Sequence, residues 1–347
     1  MRKSAAESNP FLYRFAWFTA AATLFLICSG GMVTSKGVGL AVPDWPTTFG
    51  YNMFFFPVSK WVGGIFFEHI HRLIASTVGF LSIILAVWLA RSQAERWVKS
   101  LGWVSLGAVI LQGILGGLRV TLLKDEIGIF HACLAQAFLG LVVVIALATS
   151  PVWKRLSQPV SRRAPSLAIL ALVTSGLIYG QLALGATMRH QHRDLAILDF
   201  PLAYGQIIPA TDPATIARIN QARDTQALSD VSVGQIWLQM AHRFVALLIG
   251  FGITAFYFLV RRERPAIPFL HTLSTVWLGL VILQITLGAW TIWSNKAADI
   301  ATAHVAVGAM TFSAAVIIST AILHLRSVAE PKAPVASAST VLEASAT

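Results

Sequence analysis

Residues 71–80 read HRLIASTVGF, and residues 242–251 read HRFVALLIGF, so an apolar segment that begins with His-Arg occurs twice in this chain. Each copy lies within a block of roughly 20 or more residues that is almost free of charge, long enough to cross the apolar core of a bilayer as a helix. The two segments therefore predict two membrane-spanning helices with the same polar start, and a duplicated fold.

Eight apolar blocks of this kind occur along the chain. Of its 347 residues, 56% are hydrophobic and only 12% are charged, which is too little charge for the surface of a soluble domain. We therefore expect an all-α integral membrane protein with eight transmembrane helices. The predicted spans cover about residues 13–35, 66–90, 100–121, 128–150, 166–188, 233–260, 268–292 and 300–325.

The duplication extends to both sides of the opening segment. The loop LAVPDWPTTFG at 40–50 returns as LAILDFPLAYG at 195–205, and VILQGILGG at 109–117 returns as VILQITLGA at 281–289. The offset is 155 positions in the loop and about 171 in the helices, so the second outer loop carries about 16 extra polar residues, near 207–232, that could be helical. The chain thus predicts two tandem four-helix bundles in parallel orientation, related by a pseudo-two-fold axis near the membrane normal.

Basic residues in the connections indicate the orientation of the chain. The short loops on one side carry most of the Lys and Arg, which places that side and both termini in the cytoplasm. The net charge of +11 comes from these flanks and forms no single patch, so nucleic acid is not an expected partner. The predicted divisions are a cytoplasmic N-terminus (1–12), an N-terminal unit (13–150), a cytoplasmic linker (151–165), a C-terminal unit (166–325) and a disordered cytoplasmic tail (326–347).

Four of the nine histidines follow the repeat. His71 matches His242 on the second helix of each unit, and His131 matches His304 on the fourth. The histidines of each pair lie at matched depth near the outer surface, so two imidazoles can face each other across a bundle and supply both axial ligands of a heme iron. An interhelical hydrogen bond would explain a single histidine, and a zinc site would need more converging ligands than either bundle offers.

Basic and small residues lie near these histidines. Arg72 and Arg243 each follow a repeated histidine, and Arg119 lies near the outer end of the third span. Their guanidinium groups could pair with heme propionates or extend to lipid phosphates. Glycines of the third and seventh spans could make room for a flat macrocycle or allow close helix packing. These glycines are Gly113, Gly116, Gly117 and Gly288.

One difference breaks the symmetry of the two units. The first reads FEHIHR at 67–72 and the second reads LQMAHR at 238–243, so Gln239 stands where the first unit has Glu68. A carboxylate one turn before His71 could handle protons or stabilise positive charge beside a substrate. The alternative is a solvated carboxylate at a helix N-terminus. The asymmetry indicates that one unit does chemistry while the other holds a permanent cofactor.

With these motifs, the sequence resembles the heme A synthase family over about residues 12–325. The resemblance rests on EHIHR at 68–72, on the loop GLAVPDWPTTFG at 39–50, and on the other repeated histidines, His131, His242 and His304, with Arg243. It implies oxidation of the C8 methyl group of heme O to a formyl group by successive hydroxylations, which gives heme A for terminal oxidases. Some bacterial members carry a cysteine pair in the first outer loop, and residues 36–65 contain no cysteine.

The resemblance also implies roles for the candidate residues. A substrate heme would bind between His71 and His131, and a prosthetic heme b between His242 and His304. Glu68 matches the family's functionally important carboxylate. Heme O synthase and oxidase assembly factors are the implied protein partners, beside the lipid bilayer and an electron acceptor that the sequence does not identify.

Two other functions remain open from the residues alone. A di-heme cytochrome b-type electron-transfer protein would use the same four ligands. A transporter would show helices broken near mid-membrane, whereas the polar residues here cluster at the outer ends. Since the first ten residues show no transit peptide, we expect a multi-pass protein of the bacterial plasma membrane.

Overall fold

A computed structural model describes residues 9–156, 164–190, 195–263 and 267–329. Eight helices in these segments are long and apolar enough to cross a membrane, which confirms the predicted all-α membrane fold. In chain order the helices are α1 (Pro10–Ser35), α2 (Gly63–Arg91), α3 (Arg96–Leu122), α4 (Asp125–Thr149), α5 (Pro151–Arg155), α6 (Ala164–His190), α7 (Pro213–Asp224), α8 (Val233–Arg261), α9 (Pro268–Trp293) and α10 (Ala298–Ala329). All but α5 and α7 are spans.

Local sequence signals set the helix ends. Asn9 caps α1 by accepting hydrogen bonds from the backbone N–H groups of Phe11 and Leu12, and a proline opens the helix. Ser232 and Gln235 form a reciprocal capping box at the start of α8. At the other end of a span, α3 stops where Leu123 adopts the left-handed conformation.

The spans form two rings of contacting helices. In the first ring α1 contacts α2, α2 contacts α3, α3 contacts α4, and α4 returns to α1. In the second ring the same sequence of contacts runs through α6, α8, α9 and α10. The rings meet through α1 and α4 on one side and α6 and α10 on the other. This contact pattern agrees with two tandem four-helix bundles, and the pseudo-two-fold axis between them stays a prediction.

Each ring has its own apolar core in the half of the bundle away from the long loops. Leu85, Leu89 and Ile145 are fully buried in the first ring. Phe256 and Trp277 are fully buried in the second, where their rings meet edge to face. The repeated histidines lie in the opposite half, between this core and the long loops.

The two repeated loops have the same backbone. Both contain a cis X-Pro peptide, at Trp45-Pro46 and at Phe200-Pro201. Both then place an aromatic residue and a glycine at positive φ: 50° and 77° at Phe49 and Gly50, and 53° and 76° at Tyr204 and Gly205. The two loops that repeat in sequence, 155 positions apart, therefore also repeat in backbone conformation.

The extra residues of the second loop form the helix α7, as their composition allowed. Arg223 at its end is 2% exposed and donates to the carbonyl oxygens of Ser229 and Leu195. These bonds hold α7 against the start of the repeated loop. Two single 3₁₀ turns, Met53–Phe55 and Val58–Lys60, take the corresponding place in the first loop and were not predicted.

Some predicted divisions fall partly outside the described residues. Residues 1–8 of the N-terminus, 157–163 of the linker and 330–347 of the tail are among them. Within the described part, α5 occupies the start of the predicted linker, and α10 continues to Ala329, beyond the predicted boundary at residue 326. The cysteines Cys28 and Cys133 are free.

Candidate functional site

The two histidines of the second ring lie close together with their imidazole rings tilted. The ring centroids of His242 on α8 and His304 on α10 lie 6.5 Å apart, at an interplanar angle of 57°. With metal–imidazole bonds of about 2 Å on both sides, the rings of two axial ligands lie roughly 6 Å apart at their centroids. The pair therefore has the separation that one metal ion between two imidazoles requires.

A hydrogen bond orients one of these rings. His304 Nδ1 lies 3.1 Å from the carbonyl oxygen of Gln284 on α9. A carbonyl oxygen only accepts, so Nδ1 carries the hydrogen and Nε2 keeps its lone pair, which accepts a long hydrogen bond of 3.4 Å from the Gln284 side-chain amide. Histidines that ligate metals commonly donate their second nitrogen in this way.

The pair of the first ring is arranged around an arginine. His71 on α2 and His131 on α4 are within electrostatic range of each other, and both are within range of Arg119 on α3. The Arg119 guanidinium lies between the first outer loop and the start of α4, because a Cβ built on Gly39 would meet it at 3.0 Å and one built on Gly128 at 3.1 Å. His71, His131 and Arg119 thus lie near one another at the outer end of the first bundle.

A glycine of a neighbouring helix lies against each of the four histidines. The contacts run from α1 to α2, from α3 to α4, from α6 to α8 and from α9 to α10, so they repeat between the units. A Cβ built on the glycine would stand from the histidine Cε1 at 2.9 Å for Gly30 and His71, 3.2 Å for Gly116 and His131, 3.4 Å for Gly185 and His242, and 3.1 Å for Gly288 and His304. The glycines let each imidazole edge lie directly on a helix backbone.

Two of the glycines named from sequence thus contact imidazoles. A third, Gly117, lies under the indole of Trp45 from the first loop, where a Cβ would overlap the ring. A Cβ built on Gly113 meets no atom within 4 Å. The glycines therefore accommodate protein side chains, and room for a macrocycle stays a prediction.

Polar atoms in these pockets lack protein partners. Nδ1 of His71, His131 and His242 is buried and has no hydrogen-bond partner among the described residues. The buried Oε1 atoms of the glutamines beside the histidines, Gln112, Gln181 and Gln284, also lack one. Buried polar groups are normally satisfied, so these atoms leave hydrogen-bonding capacity unused around the histidines. The described part of the chain contains no group of three His, Cys, Asp or Glu residues that could hold a metal ion.

Arg72 holds the first repeated loop. Its guanidinium donates to the carbonyl oxygens of Asp44 (2.7 Å), Thr47 (3.0 Å) and Val42 (2.9 Å), and forms a 2.8 Å ion pair with Glu68. Arg243 does the same in the second unit, where it donates to Asp199 and Leu202, the positions 155 after Asp44 and Thr47. Both arginines thus clamp a loop rather than extend to lipid, and a pairing with heme propionates stays a prediction for them.

Glu68 and its counterpart Gln239 both tether the same loops. Glu68 is 4% exposed and accepts from the Val42 N–H at 2.9 Å. Gln239 is 3% exposed, accepts from the Ile197 N–H at 2.9 Å and donates to the Ile197 carbonyl at 3.0 Å. The alternative of a solvated carboxylate is therefore wrong: Glu68 is buried because the loop and Arg72 cover it.

The other described histidines belong to neither pair, although His190 is buried against Gly128, near Arg119. His69 is fully buried between Phe56 and Trp61, with Nδ1 at 3.3 Å from the Thr48 hydroxyl, so it points away from His71 as its position on the helix predicts. His271 and His324 lie at the opposite end of the bundles. Among the described histidines, the repeat thus selects two pairs, His71 with His131 and His242 with His304.

The turn inside the first loop depends on a carboxylate outside the membrane. Asp44 accepts hydrogen bonds from the N–H groups of Gly50 (2.8 Å) and Phe49 (2.7 Å) and from the Thr47 hydroxyl. Burial acts to raise the pKa of Asp44, and these hydrogen bonds outweigh it, so the pKa lies below its ordinary value.

Comparison with known proteins assigns the chain to a family. The family model described as Cytochrome oxidase assembly protein (COX15-CtaA) matches residues 51–316, which include all four histidines, Glu68 and both clamping arginines. This chain belongs to the cytochrome oxidase assembly protein family. The match begins after α1 and extends from α2 into α10, so it covers seven of the eight spans in whole or in part.

Proteins named Heme A synthase from several bacteria resemble the chain over most of its length. A protein named Heme A synthase in Alkalihalophilus pseudofirmus is 24% identical over 272 residues, which cover 77% of this chain and 90% of the relative. Proteins of the same name in Shouchella clausii and Shewanella oneidensis are each 27% identical, over 80% and 81% of this chain and 85% and 88% of the relatives. Eight apolar helices and these relatives fit a multi-pass bacterial membrane protein.

Two features of the candidate site were not found from the sequence. Gly30 and Gly185 stand 155 positions apart, so extending the loop alignment back into the first span of each unit would have paired them. The arginine clamps had no such signal, because their acceptors are backbone carbonyl groups, which every residue carries.

Proposed function

We propose that this protein is a heme A synthase, a membrane oxidoreductase that oxidises the C8 methyl group of heme O to the formyl group of heme A. The observation that carries the proposal is membership of the cytochrome oxidase assembly protein family, with relatives named Heme A synthase that match about four fifths of the chain. Oxidation of a methyl to a formyl group removes four electrons from the carbon, so the reaction needs an external electron acceptor.

The two histidine pairs would hold the two hemes. Heme O would bind between His71 and His131 in the N-terminal unit, and heme b between His242 and His304 in the C-terminal unit. The 6.5 Å separation of the second pair and the buried nitrogens without partners support this assignment. When bound, heme b supplies one-electron redox chemistry. The protein's part is to orient the rings, through the four glycine contacts and the Gln284 hydrogen bond.

Glu68 distinguishes the unit that would do the chemistry. Its carboxylate lies one turn from His71 on α2, fixed by the Val42 N–H and by Arg72. A carboxylate held at that point can accept a proton or stabilise positive charge that develops on the substrate. Gln239 gives the second unit the same tether without the charge, which supports a permanent cofactor there.

The exchange Glu68→Gln tests this proposal with little disturbance of the fold. The amide can keep the hydrogen bond to the loop backbone, since Gln239 makes the matching bond in the second unit, but it loses the ion pair with Arg72 and can neither accept a proton nor carry charge. We expect heme A formation to fall by about 100-fold or more, with heme b retained and the loop still held by the Arg72 bonds to its three carbonyl oxygens. The measurement is chromatography of hemes extracted from the protein expressed in a host that makes heme O, with limited proteolysis of the loop.

The reciprocal exchange Gln239→Glu is the control, and we expect heme A formation to continue. Normal heme A output from Glu68→Gln would remove the proposed role of the carboxylate. Two unmodified, tightly held hemes in the wild-type protein, with no heme O derivative, would instead favour the di-heme electron-transfer protein.

A further inference from the structure

Arg189 in the last turn of α6 belongs to none of the repeated motifs. It follows Gly185 by four residues, so both lie on one face of the helix, one turn apart. Gly185 contacts His242. Arg189 therefore starts one turn further out than the proposed heme b ligand, on the side of the helix that faces it.

The Arg189 guanidinium lies where the two units meet. Its Nη2 donates to the carbonyl oxygen of Gly31 at 2.7 Å and to the Ser35 hydroxyl at 2.8 Å, both on α1. The Ser35 hydroxyl in turn lies 3.3 Å from that of Thr302 on α10, and Arg189 is within electrostatic range of His304, two residues further along α10. One side chain of the second unit thus reaches α1 of the first beside both histidine sites.

No carboxylate of the described segments neutralises the charge of Arg189. Its two acceptors, the Gly31 carbonyl and the Ser35 hydroxyl, are neutral, and it forms no ion pair with a described residue. Its other nitrogens, Nη1 and Nε, donate to no described residue. A half-buried cation at the end of a membrane span is costly unless an anion accompanies it. The unpaired Arg189 guanidinium therefore indicates a binding site for an anion that the described residues do not supply.

In the first unit, an arginine on a different helix places positive charge near the fourth-helix histidine. Arg119 on α3 is the arginine within range of His131, and its repeat position in the second unit is Thr291. The repeat position of Arg189 in the first unit is Thr34. Each fourth-helix histidine therefore has one neighbouring arginine that the duplication did not supply, which indicates a shared requirement for positive charge.

We propose that Arg189 binds a carboxylate of the ligand held between His242 and His304, and so ties that ligand to α1 of the other unit. This inference rests on the proposed function, in which the ligand is heme b and the carboxylate is a propionate. A guanidinium suits this role because it can hold neutral acceptors with one nitrogen and a carboxylate with the others.

Substitution of Arg189 tests the inference through heme retention and potential. Arg189→Gln keeps a donor for Gly31 and Ser35 but removes the charge. We expect heme b to transfer to apomyoglobin about tenfold faster, the loss of one charge-assisted hydrogen bond, and its midpoint potential to fall because a nearby cation no longer favours the reduced iron. Arg189→Lys should restore the potential and part of the retention.

Two further variants separate the anion site from a simple link between helices. Ser35→Ala removes an acceptor of Arg189 and leaves its charge, so it should change the potential far less than Arg189→Gln does. Arg218→Gln removes an exposed arginine of α7 and controls for the loss of a positive charge on the same side. Equal effects of Ser35→Ala and Arg189→Gln would overturn the inference.

The variant His304→Ala distinguishes a failure of the Arg189 inference from a failure of the proposed function. If the wild-type protein and His304→Ala carry the same heme, the heme b site itself is wrong and the proposed function fails. If His304→Ala loses heme b while Arg189→Gln keeps it with unchanged transfer rate and potential, only the role of Arg189 is wrong.

Discussion

At the scale of single residues, the glycine contacts set the orientation of the axial imidazoles. A Cβ at Gly288 would stand 3.1 Å from His304 Cε1, tighter than ordinary contact, so Gly288→Ala must displace the ring by a few tenths of an ångström. We expect a changed low-spin heme signal in electron paramagnetic resonance, because that signal depends on the orientation of the axial ligands.

The matched control lies on the same helix. A Cβ at Gly279 meets nothing within 4 Å, so Gly279→Ala should leave the heme signal unchanged and stabilise the helix by up to about 1 kcal/mol. An unchanged signal in Gly288→Ala would show that the contact does not orient the ligand.

The Asp44 carboxylate makes the first loop sensitive to acid. Its pKa is lowered because hydrogen bonds to the charged form outweigh the opposing effect of burial. Its stabilisation is therefore complete above the ordinary pKa of about 3.9 and is lost as the pH falls through the lower folded pKa. We expect amide exchange protection at residues 49–50 to hold from neutral pH to about 4 and to drop below it. In Asp44→Asn, protection should be weaker and independent of pH; a drop at the same pH would exclude Asp44 as its cause.

The residue scale also shows how far the sequence predicts the site. The four histidines could be found because imidazole is rare at membrane depth and each recurs at a fixed offset. Glu68 could be singled out by its replacement with Gln239. Its burial could not be predicted, because it results from a loop that folds back over α2.

At the scale of elements, each loop depends on an arginine of the following helix. A lysine at position 72 offers a single ammonium and cannot reach three carbonyl oxygens and the Glu68 carboxylate together. We expect Arg72→Lys to make residues 40–50 about tenfold more susceptible to proteolysis, the effect of roughly one lost charge-assisted hydrogen bond.

Arg91→Lys at the other end of α2 provides the control, because this arginine is exposed. In Arg91→Lys, residues 40–50 should be cleaved at the wild-type rate. A wild-type rate in Arg72→Lys as well would mean that the loop is held by its other contacts.

Helices were more predictable than the segments between them. The spans begin and end within a few residues of their predicted bounds, because charged residues and capping groups interrupt the apolar blocks. The two 3₁₀ turns at 53–60 could not be predicted, since their short aromatic run has no helical period.

At the scale of the whole molecule, the duplication predicted two bundles but not how they meet. Helices in lipid are apolar on all sides, so their sequences do not show which face contacts protein. The structure shows that α4 and α10 approach closely, since a Cβ on Gly140 would stand 3.2 Å from Phe312. The sequence does not predict this contact.

The proposed orientation can be tested on the whole protein in the membrane. Val58 in the first loop is 73% exposed, and Gln93 between α2 and α3 is also exposed. After replacement of Cys28 and Cys133 by alanine, Val58→Cys should react with an impermeant maleimide in intact spheroplasts, and Gln93→Cys only after permeabilisation. The opposite pattern would place the termini outside.

Because Arg72 and Arg243 hold their loops by backbone atoms, the side chains of the two loops are free to differ. Each arginine holds the main chain of its loop, and main-chain atoms are the same whatever side chains they carry. The same backbone conformation can therefore carry different side chains: Trp-Pro-Thr-Thr-Phe in one unit and Phe-Pro-Leu-Ala-Tyr in the other follow the same path. The second eleven-residue segment should therefore fit the first unit, whereas the first segment placed in the second unit would bring the Trp45 indole against Ala289, the repeat position of Gly117.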